Sequence, residues 1–130
     1  MYNFIMKTNT LTITINKPLS EVFQFCITPP KAKLWIQDIS NETTNEYPIK
    51  IGTIYTEFKT NNTFFKLIVA DFKKNNYIVW KTENGNYQVK YLFVTVDENA
   101  TKLTYIESGE IDIPFTQATL KKLKKVIENE

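Results

Sequence analysis

Two glutamates in strand-like segments are the residues of this chain best suited to acid–base chemistry. Glu107 shares strand parity with Leu103 and Tyr105, so Glu107 faces the interior if Leu103 does. Glu57 shares parity with Tyr55 in the same way. A carboxyl group in an apolar cavity has a raised pKa and can act as a general acid or base. Glu107 and Glu57 are therefore the candidate catalytic residues.

Each glutamate also has a structural interpretation, which the sequence favours. Glu107 lies near the end of its strand, where a solvated position at the mouth of a cavity is expected. Ile54 and Phe58 form the more apolar face of the strand that carries Glu57, which predicts that Glu57 points outward.

Aromatic side chains make up 14% of the residues and supply most candidates for ligand binding. Tryptophans can wall a pocket, although they more often fill core volume. Tyrosines that converge in a cavity form a polar floor for a ligand; alternatively, each ring packs in the core with its hydroxyl at the surface. The candidate ligand-binding residues are Trp35, Tyr55, Trp80, Tyr91, Phe93, Tyr105, Glu107, Leu120 and Leu123.

Two missing residue types exclude several classes of site. The 130 residues contain no histidine, which excludes Ser-His-Asp and Cys-His catalysis and the usual zinc ligand sets. All 16 basic residues are lysine, so bidentate arginine contacts to phosphate or guanine cannot form. With 14 acidic residues the net charge is only +2. We expect no nucleic-acid partner, no metal and no cofactor.

The single cysteine and the N-terminal segment bear on localisation. Cys26 has no cysteine partner in the chain, so we expect a buried thiol in a reducing, cytoplasmic setting. Residues 1–7 hold no apolar run long enough for a signal peptide. No segment approaches the length of a membrane span, so no integral membrane association is expected.

Hydrophobic periodicity predicts the elements that position these residues. Alternation over 8–16 indicates a first strand. Two short helices should follow, the first starting at Pro18 and stopping at Pro29, the second around Trp35. Six further strands are predicted, over 39–44, 53–59, 63–72, 77–83, 87–96 and 102–108. Short connections between successive strands favour an antiparallel sheet.

A helix over 116–129 closes the predicted fold. Its apolar stripe is Leu120, Leu123, Val126 and Ile127. The layout is a single α+β domain over residues 1–130, with the helix on one side of the sheet. Because the helix is only about 21 Å long, it seals part of a long groove, and we expect a small or partly open cavity.

The predicted strands over 63–72 and 87–96 are apolar on both faces. A sheet with one solvated face should alternate instead. One face must line the interior, although the sequence does not say which. Apolar residues on the other face favour a homodimer interface, whereas a few scattered exposed apolar residues would need no explanation.

Several motifs together resemble the START-like (SRPBCC) superfamily. Segment 13–23, ITINKPLSEVF, is similar to its opening strand, proline, acidic residue and apolar-aromatic pair. Segment 29–35 resembles its second helix, which commonly ends near a tryptophan, and 51–53 resembles its glycine turn. Segments 78–80 and 101–105 are similar to its later strands.

This resemblance implies a helix-grip fold: a curved antiparallel sheet of six to seven strands around one C-terminal helix, with two short helices after the first strand. It also implies a cavity between the sheet and the last helix. Members bind lipids, hormones, polyketides and other apolar molecules, and the superfamily has no universal catalytic residue. Chaperone-activating members often carry a histidine late in the last strand, where this chain has Glu107.

The residues and the resemblance together predict a binding or carrier protein for an apolar small molecule. Two alternatives stay open. One is a polyketide cyclase- or dehydratase-like enzyme that uses Glu107 or Glu57 with a tyrosine. The other is a chaperone-activator-like protein-interaction module. The missing histidines and arginines favour binding over catalysis.

Overall fold

A curled antiparallel sheet wraps around the C-terminal helix in the computed structural model, which describes residues 7–111 and 113–130. Over these residues the sheet has seven strands in the order β1-β7-β6-β5-β4-β3-β2. This half-barrel around a helix is the predicted helix-grip fold. The elements are β1 (Lys7–Ile15), α1 (Leu19–Ile27), a 3₁₀ helix (Lys31–Leu34), β2 (Ile39–Thr44), β3 (Ile54–Lys59), β4 (Phe64–Lys73), β5 (Tyr77–Lys81), β6 (Tyr87–Asp97), β7 (Ala100–Gly109) and α2 (Gln117–Glu128).

Helix α2 begins and packs as its sequence pattern predicts. The Thr116 hydroxyl accepts a hydrogen bond from the backbone N–H of Thr119 and so caps the first turn. Leu120, Leu123 and Ile127 are buried, and the helix packs against β1. Its 12 residues span about 18 Å. No helix in the described part of the chain combines the length and apolar character needed to cross a membrane.

The structure shows which face of the doubly apolar strands lines the interior. On β4, Leu67 and Val69 face inward, whereas Phe64 lies on the outer face and is 60% exposed. A bulge between Val69 and Asp71 then shifts the parity of the strand. Phe72 consequently turns inward and stacks on Phe23 of α1, with 5.9 Å between ring centroids.

In strand β6, unlike β4, the apolar residues alternate between the inner and outer faces without a break over Val89–Val94. Val89, Tyr91 and Phe93 are buried, and Val94 and Val96 are exposed on the outer face. The outer face of the sheet carries fewer apolar residues than the sequence indicates, because the bulge in β4 turns Phe72 inward. The homodimer stays a prediction.

Candidate ligand-binding cavity

A cavity of about 460 Å³ opens on the concave side of the sheet. Its walls come from β2 to β7, from the region of α1 and the 3₁₀ helix, and from the connection between β7 and α2. None of the described lining residues belongs to α2, so the expected location between sheet and C-terminal helix is corrected. Leu120 and Leu123 are fully buried and fill the space beneath α2. The cavity therefore extends along the chain only as far as Phe115, just before α2.

Aromatic rings in mutual contact form much of the cavity wall. Trp80 and Tyr91 meet edge to face, with 4.9 Å between centroids, and Tyr91 lies 5.4 Å from Tyr105. Tyr105 stacks on Phe115 at 4.6 Å with the ring planes almost parallel. Trp35 contacts both Phe115 and Tyr91 edge to face. Side chains locked against each other in this way give a rigid apolar surface.

Six of the residues singled out in the sequence line this cavity: Trp35, Glu57, Trp80, Tyr91, Tyr105 and Glu107. Four other candidates lie in the hydrophobic core outside the lining: Tyr55, Phe93, Leu120 and Leu123. The Tyr55 hydroxyl donates a 2.6 Å hydrogen bond to the carbonyl of Ile27, which ties β3 to the end of α1.

Each carboxyl oxygen of Glu107 accepts two hydrogen bonds. Its side chain is 1% exposed, contrary to the solvated position expected from the sequence. Oε1 accepts from the Asn9 amide at 2.9 Å and from the Phe115 backbone N–H at 3.0 Å. Oε2 accepts from the hydroxyls of Tyr87 at 2.6 Å and Tyr105 at 2.9 Å. These donors join β1, β6 and β7 to Phe115, which lies two residues before the start of α2.

The two tyrosines that bond Glu107 remain donors at neutral pH. Burial is the main cause that raises the pKa of both the Tyr87 and the Tyr105 hydroxyl. Both phenols therefore keep their protons and can donate to Oε2 of Glu107. With four neutral donors on two oxygens, Glu107 is better placed to hold the cavity wall than to take a proton from a ligand.

A second carboxyl group stands beside Glu57, and sequence reasoning missed it. Glu42 of β2 is directly opposite Glu57 of β3 in the strand register, and both line the cavity. Glu57 is 6% exposed, so the prediction that it points outward is wrong. The apolar Ile54 and Phe58 instead take the outward positions of β3, since inward and outward residues alternate. No local signal pairs the two glutamates, because the connection over 45–53 between β2 and β3 leaves the strand register open.

The Glu42–Glu57 pair is held in an apolar wall. Burial, followed by the neighbouring Glu42 carboxyl, raises the pKa of Glu57 to about 10. Burial is also the main cause that raises the pKa of Glu42. Two adjacent carboxyls in such a site cannot both ionise readily, so at neutral pH they retain a proton between them.

Two buried polar atoms of the cavity have no hydrogen-bond partner among the described residues: Oε2 of Glu57 and Nε1 of Trp80. Buried polar atoms in folded proteins are nearly always bonded, and exceptions call for an explanation. One acceptor and one donor in the same wall fit a bound molecule that carries polar groups.

Cys26 also lines the cavity. Burial, and secondarily the charge of Glu42, raises the pKa of its thiol, which makes it a poor nucleophile. In the described residues, no group of three or more Cys, Asp or Glu side chains is arranged to hold a metal ion.

Comparison with solved structures shows the fold. A protein from Nitrosomonas europaea superposes with a TM-score of 0.74 at 11% identity, covering 94% of each chain. Norcoclaurine synthase from Thalictrum flavum, in complex with dopamine and hydroxybenzaldehyde, superposes with 0.69 at 10% identity, covering 97% of this chain and 88% of that one. The chain has a Bet v1-like helix-grip fold.

A conserved protein of unknown function from Enterococcus faecalis shares this helix-grip fold, with a TM-score of 0.73 and 12% identity over 94% of this chain and 71% of that chain. The sequence matches no protein-family model and no curated protein. At these identities the likeness is one of fold alone.

Replacing Glu57 with glutamine should stabilise the protein. The folded-state pKa of about 10 lies above the usual unfolded value of about 4.3. At pH values between these two, the folded state binds more protons than the unfolded state, so the free energy of unfolding falls as the pH rises. Glutamine removes this penalty. Chemical denaturation should show a gain of about 2 kcal/mol at pH 8 and little change at pH 4.

The exposed Glu98, in the turn between β6 and β7, provides the matched control for this prediction. Glu98→Gln should leave the free energy of unfolding within about 0.5 kcal/mol at both pH values. A Glu57→Gln variant less stable than wild type at pH 8 would contradict the proposed cost of burying the pair.

Proposed function

We propose that this protein binds or carries an apolar small molecule in the aromatic cavity. The observation that carries the proposal is a cavity walled largely by aromatic rings that pack against one another. A volume of about 460 Å³ is within the usual range for small-molecule sites. Protein interiors are otherwise packed to high density, so a space of this size in a small domain favours a ligand.

The solved structures support an aromatic or similarly flat ligand. Norcoclaurine synthase was obtained in complex with dopamine and hydroxybenzaldehyde, both of which carry an aromatic ring. A helix-grip fold can therefore accommodate such molecules. In this chain, the edge-to-face rings of Trp80 and Tyr91 offer the corresponding contacts.

One observation favours a second function, that of an acid–base enzyme. The Glu42–Glu57 pair retains a proton at neutral pH within a cavity, which is the state required of a general acid. Glu107 is less suited to this role because its oxygens are occupied by four donors. If the protein is an enzyme, its chemistry belongs to the pair.

Filling the cavity tests the proposal. Leu67→Trp places a large ring in the lining from a position that is only half-buried, so the fold should tolerate it. Titration with the neutral fluorophore N-phenyl-1-naphthylamine should give saturable binding to wild type and at least about tenfold weaker binding to the variant. A methylene or more of lost pocket contact is worth 1–3 kcal/mol, which supports that magnitude.

The control is Lys66→Trp, one residue earlier on β4, whose side chain lies on the exposed outer face. It adds the same ring outside the cavity and should bind the fluorophore as wild type does. Absence of saturable binding to wild type, or equal affinity of the Leu67→Trp variant, would refute a ligand-binding cavity. Native mass spectrometry of the purified protein should identify a co-purified molecule.

A further inference from the structure

We propose that the ligand is an organic amine, whose protonated amino group binds the Glu42–Glu57 pair while its apolar body packs among the aromatic rings. This inference rests on the proposed ligand-binding function and adds the chemical class of the ligand.

The charge of the cavity favours a cationic ligand. Its described lining contains four carboxyl groups and one ammonium group, that of Lys59. The Lys59 Nζ lies over the ring of Phe65, 5.6 Å from the centroid. In the part of the chain that the structure describes, no lysine is within ion-pair distance of Glu42 or Glu57. The pair therefore lacks a cation from the protein itself.

The other carboxyl groups of the cavity do not compete for a ligand cation at this point. Both oxygens of Glu107 are bonded to protein donors, as described above. Glu110 is exposed, where water screens its charge. With Glu57 buried and Glu42 half-buried, the pair is thus the anionic site that remains available.

The hydrogen-bonding groups of the pair independently favour an ammonium ligand. Glu57 Oε2 is an acceptor without a partner among the described residues. A primary ammonium carries three donors and no acceptor, so one such group can bond both carboxyls of a directly opposed strand pair. The pair keeps its shared proton and one negative charge, and the ammonium donates to the carboxyl oxygens that the proton leaves free. A carboxylate or phosphate ligand would instead add negative charge beside the pair.

The aromatic wall of the cavity also favours an organic ammonium group. Organic ammonium groups are attracted to the faces of tryptophan and tyrosine rings within about 6 Å, most strongly when water is excluded. Trp35, Trp80 and Tyr91 line the same cavity as the pair.

Titration calorimetry at pH 7.5 with three molecules of equal shape tests the inference. The probes are 1-naphthylmethylamine, 1-naphthalenemethanol and 1-naphthoate, which are cationic, neutral and anionic. The amine should bind at least about tenfold more tightly than the alcohol, since hydrogen bonds to charged groups contribute about 1.5–3 kcal/mol. The naphthoate should bind most weakly.

Two variants assign the preference to the pair. The Glu42→Gln/Glu57→Gln double variant should bind the amine no more tightly than the alcohol, with alcohol affinity retained as evidence of an intact cavity. Glu110→Gln removes one cavity charge without touching the pair, and should retain the tenfold preference.

Equal affinities for amine and alcohol, tighter binding of the alcohol or acid, or no binding of the amine would overturn the amine assignment. A preference that survives in the double variant would also overturn it. The proposed function is judged separately by N-phenyl-1-naphthylamine, so saturable binding of that neutral probe together with no amine preference would reject only the present inference.

Discussion

Glu107→Ala should lower the free energy of unfolding by about 3–5 kcal/mol, one of the two largest losses expected from a single substitution in this protein. The change leaves four donors without their acceptor in a region of low exposure. Each buried unsatisfied donor costs about 1–3 kcal/mol, and the tyrosine hydroxyls recover part of this by rotating. Urea denaturation followed by circular dichroism measures the loss.

Glu107→Gln is the informative companion to this variant. Its amide oxygen can still accept from Asn9 and the Phe115 backbone, and its NH₂ group can donate to the hydroxyls of Tyr87 and Tyr105 once these rotate. We expect a loss of about 1–2 kcal/mol. A glutamine variant as unstable as the alanine variant would show that charge, rather than hydrogen bonding, is what the site requires. An alanine variant of wild-type stability would refute the anchoring role.

Gly109→Ala is the second substitution for which we expect a large effect. Gly109 ends β7 with a φ of +105°, a conformation that strongly favours glycine. A Cβ at this position would lie 2.1 Å from the backbone oxygen of Asn86. That oxygen also accepts a hydrogen bond from Glu110 N, so the backbone there has little freedom to move away. Overpacking together with left-handed strain should cost about 3 kcal/mol or more.

Gly85→Ala is the matched control for this prediction. Gly85 has a φ of +74°, and an added Cβ there would meet no atom within 4 Å. Only the conformational cost remains, about 1 kcal/mol. Thermal or urea denaturation of both variants separates the two contributions. Equal losses for the two variants would contradict the close approach at Gly109.

Local patterns predicted the elements of this fold because burial on one face leaves a direct trace in the sequence. The alternation in β1 placed Ile15 in the core, and the helical stripe of α2 buried Leu120 and Leu123. The bulge at Val69/Asp71 left no such trace, since one extra residue changes parity without changing composition. Strand parity alone therefore does not predict that Phe72 shares the inner face with Leu67 and Val69.

The candidate site was harder to predict because it depends on contacts between distant segments. Trp35 and Trp80 were identified as pocket residues, and both line the cavity. Glu57 was misassigned because local hydrophobicity favoured the other face of β3, whereas its actual position reflects a cavity that β2 and β3 share. Glu42 acquires meaning only from its register opposite Glu57. Neither residue alone carries that information.

The position of β2 in the sheet has a consequence for selectivity. Glu107 sits on β7, which is hydrogen-bonded on both sides, by β1 and β6. Glu42 sits on β2, an edge strand paired only with β3 and irregular near its start. Edge strands open more readily in hydrogen exchange than central ones. For the proposed ligand, we therefore expect the end of the cavity beside Glu42 to adjust its width to molecules of different bulk, and the end beside Glu107 to keep a fixed shape.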